Sequence, residues 1–208
     1  MFSLNKKIGL IGCGNMGEAI VGAMIKGHIA DPNKITVSDA LMDRLDYIRS
    51  TYRVSVTPEN TDVFFENDVV ILAVKPQQMG PLLSDISRHG DYRIAQRKIV
   101  ISIAAGIPLK TIERALYAPL DPAATKQLPL IRVMPNTPAL VLAGISGMSA
   151  NQNAIAEDRA VAQTILSAMG KVIEFDEKDL DAVTALSGSG PAYVFYLVES
   201  MIAAGIAI

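Results

Sequence analysis

The sequence predicts an α/β protein in which helices cover both faces of a doubly wound, mostly parallel sheet. Short apolar runs alternate with segments whose apolar residues recur at helical spacing, a pattern typical of strands joined by crossover helices. Glycine or proline follows most of the runs, as expected at strand ends. The runs lie at 8–11, 34–38, 54–56, 68–74, 99–103, 130–134 and 171–175.

The helices are expected between these runs and after the last one. Apolar periodicity predicts them through Ile20–Ile25, over 41–50, from Pro58 onward, through Met79–Ile86 and Leu109–Leu116, and over 154–169 and 178–185. Pro58 is expected at the first position of its helix, where a missing N–H costs nothing. Residues 118–129 suggest a proline-rich connector, and 187–191 a glycine-rich break. The final helix, 192–208, is apolar on nearly all sides, so we expect it to be buried against another subunit or further chain.

Composition excludes several classes of protein. Half of the residues are hydrophobic and the net charge is −2, with no basic stripe, which disfavours nucleic-acid binding. The single cysteine, Cys13, can form no internal disulfide, which fits a reducing cytosol. No apolar run approaches the roughly 20 residues of a membrane span, and a strand from the first residues leaves no room for a signal peptide. We therefore expect a cytoplasmic protein without a membrane or nucleic-acid partner.

The first strand leads into a glycine turn, Gly12-x-Gly14-x-x-Gly17, and then into a helix. In this context the motif indicates a Rossmann-like dinucleotide site. Gly12 permits the tight turn, Gly14 lets the backbone approach a pyrophosphate, and Gly17 lets the helix pack on the strand. Cys13 is interpreted as a small space-filling residue, with a reactive thiol as the alternative. For the motif as a whole, the alternative to a nucleotide site is a purely structural turn between strand and helix.

Asp39 has two possible roles. It ends the second predicted strand, 22 residues after Gly17, where a carboxylate commonly binds a ribose 2′-hydroxyl. It equally suits the cap of the helix that begins near Leu41.

The other chemistry-bearing residues are few. His28 and His89 lie away from the predicted strand ends, and no cluster has the spacing of metal ligands. Gly188-Ser189-Gly190 lacks the spacing of a nucleophile elbow. Lys75 is the one candidate base or cation near the strand ends, but it equally suits hydrogen bonds to turn carbonyls. The catalytic residue therefore stays unidentified. This pattern suits a substrate that is already electrophilic, such as a cyclic iminium, reduced mainly by positioning.

Five separated segments of the chain together resemble the pyrroline-5-carboxylate reductase family. They lie at 8–17, 73–76, 102–107, 132–138 and 181–193. The resemblance implies NAD(P)H-dependent reduction of 1-pyrroline-5-carboxylate to L-proline. It further implies a dinucleotide-binding domain at 1–175 and the beginning of a helical dimerisation domain at 176–208. Relatives form dimers through that domain and often decamers.

The resemblance also assigns site residues. Those implied to contact the cofactor, NADPH or NADH, are Ile11, Gly12, Cys13, Gly14, Asn15, Met16, Asp39, Asn60, Ala73, Val74, Lys75, Pro76, Ile103, Ala104 and Ala105. Those expected on the substrate side are Asn136, Ser187, Gly188, Ser189, Gly190 and Pro191. Asp39 would repel a 2′-phosphate, so NADH is expected to serve at least as well as NADPH unless Arg44 offsets that repulsion.

Relatives continue beyond the position of Ile208 with a Ser-Pro-Gly-Gly-Thr-like loop that the resemblance credits with holding the substrate carboxylate. Without that loop, we expect a truncated chain with weak or no turnover. The alternatives are another Rossmann reductase, of the β-hydroxyacid dehydrogenase or deazaflavin–NADP type, and a non-catalytic dinucleotide-binding module. The dehydrogenases would normally place a catalytic lysine on a long helix after the sheet, and 192–208 contains none.

Overall fold

The computed structural model describes residues 4–207, which contain one eight-stranded sheet. The strands are β1 (Ile8–Ile11), β2 (Ile35–Ser38), β3 (Ser55–Thr57), β4 (Val69–Leu72), β5 (Ile99–Ser102), β6 (Leu130–Met134), β7 (Gly144–Ala150) and β8 (Gly170–Glu174). Their order is β3-β2-β1-β4-β5-β6-β7-β8, and among these pairs only β6 and β7 run antiparallel. The doubly wound, mostly parallel sheet is therefore confirmed.

Helices connect and follow the strands. They are α1 (Asn15–Lys26), α2 (Met42–Tyr52), α3 (Asn60–Glu66), α4 (Pro76–Ser87), α5 (Leu109–Tyr117), α6 (Pro122–Lys126), α7 (Ala156–Ser167), α8 (Leu180–Val183) and α9 (Gly190–Ile206). Side chains of α1, α2 and α7 pack in one core layer, and those of α3, α4 and α5 pack in the other. Alternation along β1 sends Ile8 and Leu10 to the first layer and Ile11 to the second, as a strand buried on both faces requires.

Two local predictions, one about a helix start and one about a connector, are wrong. Helix α3 begins at Asn60, because the Thr57 hydroxyl accepts a hydrogen bond from Glu59 N (3.1 Å) and Glu59 keeps an extended backbone; Pro58 therefore precedes the helix. The predicted connector 118–129 contains α6. Asp121 caps that helix by accepting hydrogen bonds from the N–H groups of Ala123 and Ala124, both at 2.8 Å.

Strand β7 was not predicted, because its glycines weaken the strand signal. Gly147 has a packing reason: a Cβ there would lie 3.0 Å from side-chain carbons of Leu180 and Val183. The predicted break at 187–191 is also wrong. Thr184–Gly188 forms a π-helical turn, in which Ser189 N donates to Thr184 O (2.9 Å), and α9 follows at once.

Helix α9 lies exposed in this single chain. Its large apolar residues from Tyr193 to Ile206 are 46–81% exposed. Ile208, the last residue of the predicted helix and of the predicted second domain, lies outside the described residues, as do residues 1–3 of the predicted first domain. Within 4–207 no helix is both long and apolar enough to cross a bilayer.

Lys98, just before β5, is a buried cation at the opposite end of the strands from the glycine turn. It is 9% exposed, and its ammonium donates to the carbonyl oxygens of Asn67 and Phe65. The Phe64 ring centroid lies 5.5 Å from Nζ. Burial lowers the pKa of Lys98 from 10.5 to about 8, a shift that the nearby Asp68 charge only partly opposes.

This shift predicts a pH-dependent stability. The unfolded chain keeps the Lys98 proton up to about pH 10.5 and the folded chain loses it near pH 8, so stability rises with pH across that window. Below pH 8 Lys98 is charged in the folded chain, and the cost of burying that charge is fully present. Relative to Lys98→Met, the wild-type free energy of unfolding should therefore rise by up to about 3 kcal/mol between pH 8 and pH 10.5.

Urea titrations at a series of pH values measure this difference, and Lys126→Met, at an exposed lysine, is the matched control. Parallel pH profiles for the wild type and Lys98→Met would contradict the prediction.

Candidate functional site

The carboxyl ends of the parallel strands form a level edge. The register places Ile11 beside Ser38 on one side and beside Leu72 on the other, and Leu72 beside Ser102. The loops that leave these positions therefore meet in space. In doubly wound sheets this edge is where ligands bind.

The glycine turn after β1 is fixed by two of its three glycines. Gly12 has a φ of 87°, a conformation that side chains disfavour. A Cβ on Gly17 would lie 2.6 Å from the carbonyl oxygen of Gly12, so only glycine allows α1 to approach the turn this closely. The conformation and packing of the protein's own backbone thus explain why both positions are glycine.

Gly14 is not explained in this way. Its backbone is extended (φ −68°, ψ −167°), and a Cβ there would meet no protein atom within 4 Å. Gly14 is the N-cap of α1, and the first helical hydrogen bond runs from Glu18 N to Gly14 O (2.9 Å), so the N–H groups of 15–17 lie at the open helix end. Open space at this helix N-terminus fits an approaching pyrophosphate.

Two cavities flank the turn. The first, of about 360 Å³, is lined by Gly14, Asn15, Met16, Gly17, Ala73, Val74, Lys75, Pro76, Ile103, Ala104, Ala105, Met134, Pro135, Asn136, Thr137 and Gly188. The second, of about 310 Å³, is lined by Gly12, Asp39, Ala40, Asn60, Val74, Gln77, Gln78, Pro81, Leu82 and Asp85. Val74 lies between them and lines both.

The backbone of Cys13 is held at both its N–H and its carbonyl. Asp39 accepts a hydrogen bond from Cys13 N (2.7 Å), and Arg44 Nε donates to Cys13 O (2.6 Å). The Cys13 side chain is fully buried, and burial raises the pKa of its thiol to about 12. Ile11, the preceding residue, is also fully buried, so neither side chain reaches the cavities.

Asp39 does not take the helix-cap position. Its second oxygen accepts from Leu41 N (3.1 Å), whereas the N-cap of α2 is Leu41, which has no side-chain cap. Asn60 lies nearby in the second cavity, where its Oδ1 accepts a hydrogen bond from the Ser38 hydroxyl (2.8 Å). Asp39 therefore lies at the end of β2 as its sequence position suggests, and the hydrogen bond to Ser38 brings Asn60, the first residue of α3, to the same place.

The other chemistry-bearing residues are sparse at this edge. Lys75 is exposed at the N-cap of α4 and lines the first cavity. His28 and His89 are exposed and line neither cavity. Across residues 4–207, no three side chains of His, Cys, Asp or Glu converge as metal ligands would.

The substrate-side residues fall into two groups. Asn136 Oδ1 accepts from Ile145 N (2.9 Å), and its amide donates to the Ser187 hydroxyl (3.2 Å). Gly188 lines the first cavity, and a Cβ there would collide with the Met134 methyl group. By contrast, Ser189, Gly190 and Pro191 cap and start α9 and do not line the cavity.

Arg132 on β6 fastens the segment that carries Ser187 and Gly188. Its side chain is 5% exposed and ion-paired to Asp181 (2.7 Å) and Glu177 (3.5 Å). Glu177 also accepts a hydrogen bond from Leu109 N (2.6 Å). A buried guanidinium thus holds the chain between β8 and the π-helical turn against the sheet.

Sequence reasoning missed Arg132 as a site residue, and it missed the α4 residues of the second cavity. Gln77, Gln78, Pro81 and Asp85 recur at three- and four-residue spacing on one helix face. That spacing, directly after the Lys75-Pro76 strand end, was a usable signal.

Comparison with known proteins identifies relatives over nearly the whole chain. A family model described as pyrroline-5-carboxylate reductase dimerisation matches residues 177–208, and one described as NADP oxidoreductase, coenzyme F420-dependent, matches residues 7–106. The chain is 41% identical to pyrroline-5-carboxylate reductase of Methanosarcina acetivorans, over 95% of this chain and 68% of that protein.

Two solved structures are also similar. One is a pyrroline-5-carboxylate reductase from Coxiella burnetii, 35% identical with a TM-score of 0.80, covering 98% of this chain and 71% of that one. The other is the pyrroline carboxylate reductase of Plasmodium falciparum with NADP bound, 28% identical with a TM-score of 0.81, covering 99% of this chain and 71% of that one. The chain thus spans about two thirds of the length of these relatives.

The Arg132 cluster generates a stability prediction. The double variant Glu177→Gln/Asp181→Asn leaves a buried guanidinium without a counter-charge and should lower the free energy of unfolding by about 2–3 kcal/mol. Arg132→Met should cost less, about 1 kcal/mol, because the carboxylates it releases are partly or largely exposed and can hydrate. Urea denaturation measures both changes.

Asp176→Asn, which removes an exposed pair with Lys178, is the control and should change stability by less than about 0.5 kcal/mol. If Arg132→Met and Glu177→Gln/Asp181→Asn lower the free energy of unfolding equally, the unpaired buried charge does not determine the loss of stability.

Proposed function

We propose that this chain, which belongs to the pyrroline-5-carboxylate reductase family, binds a nicotinamide dinucleotide across its two cavities and thereby reduces 1-pyrroline-5-carboxylate to L-proline. The family consists of NAD(P)-dependent oxidoreductases that act on a C=N bond. One observation carries the placement of the cofactor: the open space beside Gly14, at the N-terminus of α1 and between the cavities.

The residues at this edge fit such a cofactor. Gly12–Met16 would hold the pyrophosphate, Asp39 and Asn60 the adenosine ribose, and 73–76 and 103–105 the nicotinamide half, with Ile11 and Cys13 supporting the turn from inside. The small side chains of Ala73, Ala104 and Ala105 let a flat ring lie close to the strand ends. When bound, the nicotinamide supplies the hydride.

The chain's own contribution is positioning. Asn136 and Gly188 line the first cavity together with the alanines, and the Ser187 hydroxyl accepts a hydrogen bond from the Asn136 amide. The Arg132 ion pairs hold the segment that carries Ser187 and Gly188. Ser189–Pro191 would act indirectly, by starting α9 beside it. The exposed Lys75 ammonium adds positive charge at the rim, which favours an anionic substrate. The electrophile is the cyclic iminium, whose nitrogen already carries its proton, so hydride addition to the carbon gives the amine of proline and needs little further assistance.

The two families that the comparisons suggest, F420-dependent NADP oxidoreductases and pyrroline-5-carboxylate reductases, match different lengths of the chain. The F420-dependent NADP oxidoreductase model matches only 7–106, the nucleotide-binding half. The dimerisation model matches 177–208, and the reductases align with the whole chain. The C-terminal half therefore favours the reductase.

We also propose that the chain forms a homodimer through α9, with decamers as the larger assembly. The exposed apolar residues of this helix and the dimerisation match at 177–208 support this proposal. The matching domain division is 1–175 for the dinucleotide and 176–208 for assembly. A cytoplasmic location is proposed from the single, buried cysteine.

Gly14→Ala tests the cofactor site. The added methyl group meets no protein atom, so the free energy of unfolding should change by less than about 1 kcal/mol. It fills the space proposed for the pyrophosphate, so NADPH and NADH affinities measured by fluorescence titration should fall at least about tenfold. Gly90→Ala, in a loop with equally open space, is the control and should leave affinity unchanged.

If Gly14→Ala binds NADPH and NADH as tightly as the wild type, the pyrophosphate does not bind at this turn. Substrate-dependent oxidation of NADPH or NADH, with L-proline quantified as product, tests the reaction itself. Oxidation without proline would refute the assigned reaction.

A further inference from the structure

Arg44 is the cation nearest to the glycine turn, and its charge is already matched. Arg44 is ion-paired to Glu18 of α1, and the two side chains are 23% and 22% exposed. The hydroxyl groups of Tyr47 and Tyr52 donate to the other Glu18 oxygen at 3.0 and 2.9 Å. Although burial opposes the ionisation of Glu18, the hydrogen bonds from Arg44, Tyr52 and Tyr47 together outweigh it and hold the pKa of Glu18 below its usual range.

Arg44 lies beside Asp39, the carboxylate assigned above to the adenosine ribose, although neither Arg44 nor Glu18 lines the two cavities. Arg44 and Asp39 bind the two ends of the same residue, Cys13, so the guanidinium and the Asp39 carboxylate flank one short stretch of backbone. Asp39 follows β2, the position from which a ribose 2′-oxygen is contacted in this fold.

The charges around this position are predominantly negative. Asp39 and Glu18 contribute two carboxylates against the single guanidinium of Arg44. The second cavity adds Asp85, and its lining includes no lysine or arginine among the residues that the structure describes. A 2′-phosphate would enter this field with two negative charges, whereas a 2′-hydroxyl could donate a hydrogen bond to Asp39.

We propose that Glu18 sets the nicotinamide preference of this chain: by engaging Arg44, it withholds the cation beside Asp39 that could balance a 2′-phosphate, so that NADH binds more tightly than NADPH. This inference rests on the proposed cofactor site. Glu18 acts through Arg44 and Asp39 and is a positioning residue.

The test compares nucleotide affinities. Kd values for NADH and NADPH, and for their fragments 5′-AMP and adenosine 2′,5′-bisphosphate, are measured by fluorescence and calorimetric titration of the full chain. The wild type should bind the unphosphorylated member of each pair more tightly. Glu18→Gln keeps an acceptor for the tyrosines but removes the charge that pairs with Arg44. It should therefore tighten binding of NADPH and adenosine 2′,5′-bisphosphate about threefold to tenfold. The affinities for NADH and 5′-AMP should change by less than about twofold.

Two further variants isolate the cause. Glu18→Gln/Arg44→Leu should lose the gain, because no cation is left to release. Asp46→Asn, which breaks the exposed pair with Arg49 on the same helix, should change neither affinity. Raising the salt concentration to about 1 M should shrink the gain, as screening of an exposed charge requires.

The outcomes separate this inference from the proposed function. A wild type that prefers the 2′-phosphorylated nucleotides, or an unaltered preference in a folded Glu18→Gln, would overturn the inference alone. A shifted preference without proline formation would overturn only the reductase assignment. Failure of the wild type to bind any of the four nucleotides would overturn both.

Discussion

The level register of the parallel strands is the constraint on which the site depends. Because Ile11, Ser38, Leu72 and Ser102 lie side by side, every loop that follows them emerges at one edge. Each loop then needs only a small local feature to contribute: a glycine turn after β1, a carboxylate after β2, and alanines after β4 and β5. A one-residue slip of any strand would exchange its two faces and withdraw its loop from the edge. The apolar core that fixes the register therefore also fixes the site.

The strands and the loops between them were predictable because their signals are local. Continuous apolar runs identify buried parallel strands, and the turn residues after them identify the edge where the loops meet. Strand β7 escaped prediction because Gly144 and Gly147 carry no strand signal, and the reason for Gly147 is contact with a distant helix. The π-helical turn was missed for a related reason: serine and glycine predict a break, whereas Gly188 lies within the helical turn and has no room for a Cβ beside Met134. Tertiary contacts decided both.

The partners of the buried or partly buried cations could not be predicted, since each is distant in sequence. Arg132 pairs with Asp181, Arg44 with Glu18, and Arg97 with Asp158. A pattern of charges along the chain does not distinguish a solvated arginine from one that fastens two elements together. Here all three arginines fasten segments, and two of them hold backbone that borders the cavities. The chain thus uses its internal ion pairs mainly to hold loops in place, and the apolar core provides the bulk of its stability.

The π-helical turn has a consequence for how the protein responds to its own abundance. Gly188 forms part of the cavity wall, and α9 starts only two residues later, with no loop between them to absorb motion. A helix that packs on the exposed face of α9 would therefore restrain the wall as well. Since such packing follows mass action, the order of the wall would become a function of protein concentration. On dilution, loss of the helix packed on α9 would make the cavity wall less ordered, although its residues stay the same.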